Sequence, residues 1–140
     1  MSDECKELDT ILREFHSHAF RLIKLLKKEY PDNIEVDWLR QRASLARSID
    51  PFLIINRCKD KFWYYRKEIL SKNADFFMNN KFSKFIKNDE NKTFMYTLVN
   101  IIKNKAKELS TEEMDYLWGI TQDMLISVIK YKKLIKDYDE

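Results

Sequence analysis

Glycine is almost absent from this chain of 140 residues: Gly119 stands alone, with Pro31 and Pro51 as the only prolines. Phosphate-cradling loops, dinucleotide-binding folds and tight β-hairpins depend on glycine turns, so those classes are set aside. No apolar run reaches the roughly 18 residues that a membrane-spanning helix needs, which excludes a transmembrane segment. The start, Met1-Ser2-Asp3-Glu4-Cys5-Lys6-Glu7, is acidic and polar where a secretory signal is basic and then apolar, so an intracellular, soluble protein is expected. Cys5 and Cys58 lie 53 positions apart with no Cys-x-x-Cys pattern and are expected to be unlinked thiols.

Histidine is nearly as scarce. His16 and His18 are two positions apart, about 200° around a helix, whereas a shared metal or catalytic site on one helix needs a spacing of three or four. Ordinary partly buried or surface histidines are expected. Glu112, Glu113 and Asp115 cluster at a helix start, where acids favour the dipole, and Asp137-Tyr138-Asp139-Glu140 reads as a frayed acidic tail. No nucleophile stands beside a base in the sequence, so neither enzymatic activity, a metal nor a cofactor is expected.

What is present is a string of helical patterns broken by Asn, Asp and Pro. Leu8, Leu12, Phe15, Ala19, Leu22 and Leu26 recur at 4-3-4-3-4 and predict a first helix from about Asp3 to Glu29. Acids open it, lysines close it and Pro31 stops it. Asp32-x-x-Glu35 resembles a capping box for a second helix, about Asn33 to Ser48, that buries Val36, Leu39, Ala43 and Ala46 and carries Arg40, Arg42 and Arg47 on its flank. Asp50-Pro51 reads as an N-cap followed by proline at the first helical position, opening Phe52-Leu53-Ile54-Ile55. A break is expected near Cys58 to Asp60, followed by an aromatic helix to about Ser71 built on Phe62, Tyr65, Ile69 and Leu70.

Asn73 to Asp89 predicts two short helices, and a further helix runs from Asp89 or Asn91 to about Lys107, followed by an inward Leu109. Ser110-Thr111-Glu112-Glu113 fits a capping box for a final helix from Thr111 to Asp137. That helix repeats Met114, Trp118, Thr121, Leu125, Val128, Lys132 and Ile135, beside a parallel row of Leu117, Met124 and Tyr131. Gly119, mid-helix, predicts the close approach of a backbone or a large ring. The expected architecture is all-α: a single compact bundle of about six to seven helices over residues 1–140, with long first and last helices that pack together.

Charge and aromatic residues give the functional pointer. Residues 40–87 hold twelve Lys or Arg against four acids, a local net of +8, while residues 1–14 carry a net of −3. Within the basic stretch, Phe62-Trp63-Tyr64-Tyr65 spreads over about 300° of helix circumference, more than one core-facing stripe can hide. Phe62 and Tyr65 share a face with Ile69 and serve the core, leaving Trp63 and Tyr64 for a partner. The candidate contact residues are Arg57, Lys59, Lys61, Trp63, Tyr64, Arg66, Lys67, Lys81, Lys84 and Lys87. A protein partner or self-association is the first reading. The alternative is nucleic-acid binding through segment 57–87, since bases stack on exposed rings while cations hold phosphates. Against it, much of this charge has the spacing of a solvated helix face, and no helix-turn-helix or RRM signature accompanies it.

Asp50-Pro51-Phe52-Leu53-Ile54-Ile55, Tyr64-Tyr65 with Ile69, and Asp75-Phe76-Phe77 resemble a pattern in small uncharacterised helical proteins of large eukaryotic DNA viruses. The resemblance covers about residues 45–90. It implies a viral protein in an infected cell or a virion, and supplies no activity, ligand or site residue.

Overall fold

A helix dipole favours acids at its start and bases at its end. The longest described helix follows that rule: α1, Asp3–Glu29, has Asp3 and Glu4 in its first turn and Lys27 and Lys28 in its last. The computed structural model describes residues 3–73 and 109–136. Among them are four further helices, α2 (Ile34–Ile49), α3 (Leu53–Tyr64), α4 (Arg66–Leu70) and α5 (Thr111–Leu134), and no strand. The chain is all-α. Five of the six to seven expected helices are described, and those expected between Asn73 and Lys107 lie outside the described residues.

The heptad row of α1 is the core row. Leu12, Phe15, Ala19, Leu22 and Leu26 are all buried, and Phe15 is wholly enclosed. Burying a ring of that size contributes roughly 1.5–3 kcal/mol of transfer free energy. α1 packs chiefly on α5. Arg21 of α1 pairs with Asp123 at 3.6 Å, and the carboxyl of Glu29 meets that of Glu113, so the two helices run antiparallel. Sharing a hydrogen bond raises the pKa of Glu29 and lowers that of Glu113. The central buried row of α5 is Leu117, Ile120, Met124, Val128 and Tyr131, with Leu125 enclosed beside it.

Several boundaries differ from expectation. The N-cap of α2 is Asn33, not the expected Asp32; its side chain accepts from the Val36 N–H at 3.2 Å. Asp50 ends α2, and its carboxylate accepts from the Phe52 N–H at 2.9 Å. α3 therefore starts at Leu53, with Pro51 in the turn before it. No break occurs at Cys58 to Asp60. Lys59 and Asp60 lie within a continuous α3, because their charged groups find partners there and need no loop to reach water. The break falls at Tyr65, inside the aromatic run. Leu70, expected inward, is exposed. α5 stops at Leu134, short of Asp137, and leaves Ile135 partly in solvent.

The capping box at Ser110 is present in both directions: Glu113 N–H donates to the Ser110 hydroxyl at 3.1 Å, and Ser110 N–H donates to the Glu113 carboxylate at 3.0 Å. The end of α4 shows where glycine is missed. Lys72 N–H bonds to Ile69 O at 3.2 Å and Asn73 N–H to Glu68 O at 2.9 Å, the Schellman pattern, with Lys72 at φ 54° where glycine is usual. Lys136 adopts φ 58° after α5 in the same way. The one glycine, Gly119, sits mid-helix, and no close approach explains it. Among the described residues nothing lies within 4 Å of where its Cβ would be.

Candidate partner-binding surface

α3 presents Asn56, Asp60 and Trp63 at spacings of four and three, so the three share one helical face. That face meets the C-terminal part of α5. The Tyr131 hydroxyl donates to Asn56 Oδ1 at 2.7 Å, and Lys132 Nζ donates to Asp60 Oδ1 at 3.2 Å. The same ammonium lies 5.6 Å from the centroid of the Trp63 ring. Lys132 is 1% exposed whereas the Asp60 side chain is 62% exposed, so a buried cation is held by a carboxylate that still touches water.

Arg66 holds Trp63 as well. Its guanidinium stands 4.2 Å from the ring centroid and donates to the Trp63 carbonyl at 2.7 Å, occupying a backbone acceptor next to the helix break. Gln122 of α5 donates to the carbonyls of Ile69 and Leu70 at 3.2 and 3.3 Å, tying the end of α4 to the bundle. The two short helices are thereby fixed against α5 from both sides of Tyr65.

The four rings have separate fates. Phe62 packs on the core, edge to face with Phe15 at 6.5 Å. Tyr65 is buried, and burial together with Tyr64 and Glu68 pushes its phenol up to about 12. Trp63 is half-buried among cations, and Tyr64 is 52% exposed. Tyr64 is thus the most exposed of the four rings, and it meets the Tyr65 ring edge to face at 4.9 Å. Arg57 and Lys67 are also exposed, whereas Lys59, Lys61 and Arg66 are half-buried. Arg57, Lys61 and Tyr64 recur at spacings of four and three, so one face of α3 carries two cations leading to the ring. Lys81, Lys84 and Lys87 lie outside the described residues.

Much of the remaining basic and aromatic content is turned on itself. Arg47 of α2 lies over Phe20 of α1 at 4.4 Å, Arg21 of α1 over Tyr116 of α5 at 5.7 Å, and Arg42 over Trp38 within α2 at 5.0 Å. Cation–π contacts contribute roughly 0.5–2 kcal/mol each according to how desolvated they are. These cations and rings, which lie outside segment 57–87, are part of the protein's own packing.

The two histidines diverge. His16 is buried, and its Nε2 has no hydrogen-bond partner among the described residues. Burial lowers its pKa, opposed by a hydrogen bond with the Pro51 backbone and reinforced by the charge of Arg47. His18 lies 3.2 Å from Arg21 through Nδ1. Cys5 is exposed and Cys58 buried, with no bond between them. Among the described residues no three His, Cys, Asp or Glu side chains gather in a way that suits a metal ion. Nor is any described helix long and apolar enough to cross a membrane.

Sequence reasoning missed Asn56, Asp60, Gln122 and the burial of Lys132. Only Lys132 left a signal, the one charged residue on an otherwise uncharged row, seven residues from Leu125. No family model matches the chain, and neither curated proteins nor solved structures show a match to it.

Proposed function

We propose that this chain is a non-enzymatic helical interaction protein that docks a protein partner through the surface around Tyr64, at the junction of α3 and α4. The observation that carries the reading is the contrast between neighbours. Trp63 is half-buried under Arg66 and Lys132, while Tyr64 beside it rests edge-on against Tyr65 at 4.9 Å and still keeps half of its surface exposed on a braced backbone. A rigid aromatic anchor ringed by cations suits a pocket rimmed with carboxylates, because a tyrosine adds large contact area at small entropic cost. Arg57, Lys61 and Lys67 supply the surrounding charge. In this reading residues 1–140 form one helical bundle. The setting is the interior of an infected cell, or a virion, of a large eukaryotic DNA virus, on the resemblance over residues 45–90.

The alternative, nucleic-acid binding through segment 57–87, draws on the same exposed charge and ring. Within that segment Trp63 is already covered by Arg66 and by Lys132 of α5, which favours the protein partner over it. Two measurements decide. In capture from cells of the natural setting, a protein retained by wild type and lost with both Tyr64→Ala and Lys67→Glu supports the proposal. Retention that neither substitution alters refutes it. In a titration with labelled single- and double-stranded nucleic acid, binding at 50 mM salt that weakens steeply as salt rises would replace it with the alternative.

A further inference from the structure

His16 lies buried where α1 meets the corner between α2 and α3, and its ring has too few partners for a second proton. The ring hydrogen-bonds to the Pro51 backbone, while Nε2 is enclosed with no partner among the described residues. A neutral imidazole has one N–H to place, whereas an imidazolium has two. Protonation would therefore leave a buried N–H unpaired and a charge in an apolar seam, and both are costly. The costs vanish once the ring reaches water.

The charges around it do not help. On α2, Arg47 lies over Phe20, one turn along α1 from His16, and its guanidinium repels a second cation there. At the corner, the Asp50 carboxylate accepts from the Phe52 N–H at 2.9 Å. On α1, Arg13 pairs with Asp9; on α5, which packs on α1, Asp123 pairs with Arg21 and Lys132 with Asp60. α3 opens with the uncharged Leu53-Ile54-Ile55-Asn56. The cover itself is lightly secured. Residues 47–51 are all exposed, and the corner is closed by Asp50 N–H on Ala46 O at 3.0 Å, Leu53 N–H on Asp50 O at 3.1 Å and the Asp50–Phe52 bond. Segments with few buried contacts open at a lower free energy than the whole domain. Buried Ala43 on one side and Ile54 on the other limit how far such an opening runs.

We propose that the α2–α3 corner is an acid-released latch: protonation of His16 favours a local opening in which residues 47–53 lift from α1 and the ring meets water, while α1 and α5 stay packed. The sign follows from burial. In the opened corner the imidazole takes up a proton below its ordinary value of about 6.5, and in the closed corner it resists, so closure is favoured above that value and loses ground as pH falls. The device is separate from the Tyr64 surface, which lies at the other end of α3.

Hydrogen exchange of single amides in the full chain, followed by NMR at pH 7.5, 6.5 and 5.5 and corrected for the intrinsic rate at each pH, tests it. Asp50, Phe52 and Leu53 should be at least about tenfold less protected than the α5 core at Leu125 and Val128 at every pH, as a local opening requires. Their protection should fall several-fold between pH 7.5 and 5.5, up to the roughly tenfold that one proton allows one unit below 6.5. In His16→Gln and His16→Phe, which remove the titration with different side chains, the fall should vanish; in His18→Gln, whose histidine contacts Arg21 instead, it should remain. Corner amides as protected as the α5 core, a fall of less than about twofold, or a fall that persists without His16 overturns the proposal.

Discussion

Replacing either partner of the Lys132–Asp60 pair should have unequal effects, and the inequality follows from burial. In Asp60→Ala the Lys132 ammonium, 1% exposed, loses the carboxylate that accepts its hydrogen bond at 3.2 Å. A hydrogen bond to a charged group is worth about 1.5–3 kcal/mol, and removing one member of a fully buried pair costs about 3–5. Here the carboxylate is 62% exposed and partly screened, so the lower range applies, and the Trp63 ring at 5.6 Å retains part of the attraction. Asp60→Ala should therefore cost about 1.5–3 kcal/mol and lower Tm by about 4–12 °C. In Lys132→Met an unbranched apolar chain of similar length fills the site, and Asp60 is left in water, where it costs little. That variant should lie within about 1 kcal/mol of wild type. The double variant should lie within about 1 kcal/mol of Lys132→Met alone, since the ammonium left to Asp60 is that of its neighbour Lys59, in a pair whose carboxylate is exposed. Urea unfolding followed by near-ultraviolet circular dichroism measures all three, because the signal of Trp63 reports directly on the site. The reasoning is refuted if Lys132→Met is as damaging as Asp60→Ala, or if Asp60→Ala is neutral.

The other predictions concern the backbone, the caps and pH. Gly119→Ala should stabilise by about 1 kcal/mol, since open space surrounds the position among the described residues and helix propensity alone decides. Lys72→Gly should stabilise by about 0.5–1 kcal/mol by relieving a left-handed residue at the end of α4; a loss of stability in thermal melts of either variant would contradict these accounts. Ser110→Ala should cost about 0.5–2 kcal/mol by removing the reciprocal cap of α5, measured by urea unfolding. Because burial holds His16 below its usual value of about 6.5, the unfolded chain takes up a proton that the folded chain refuses. Its contribution to stability is complete above that value and declines as pH falls from about 7 toward the folded pKa. Unfolding midpoints between pH 7.5 and 5 should fall more steeply for wild type than for His16→Asn. Equal slopes would show that His16 is not the group responsible.

The long helices were legible because their signals are local. The 4-3 spacing of α1, the charge order along it and the Ser110 box each rest on residues within a turn or two of one another. The breaks were less legible. Lys59-Asp60 has the composition of a loop, yet it stays helical because Asp60 reaches Lys132, a residue 72 positions away. With that pair satisfied, the chain turns at Tyr65 instead, where Arg66 and Gln122 satisfy nearby backbone acceptors. The division of the aromatic run into core and surface rings was legible from angle alone, as the burial of Tyr65 and exposure of Tyr64 agree with it. The cationic surroundings of Trp63 were not, because both the helix break and α5 are needed to place them.

The arginine stacks change what the positive charge of this chain means. Among the described residues, Arg21, Arg42, Arg47 and Arg66 lie over aromatic rings. A guanidinium is flat and weakly hydrated, so it can lie against a ring as an ammonium cannot. Exchanging these residues for lysine would leave the net charge of +3 untouched and would still loosen the seams between α1 and α2 and between α1 and α5. To an approaching polyanion such a residue is one more cation, but to the fold it is a plate of mortar between two helices. Net charge counts both uses alike, and only the second holds the bundle together.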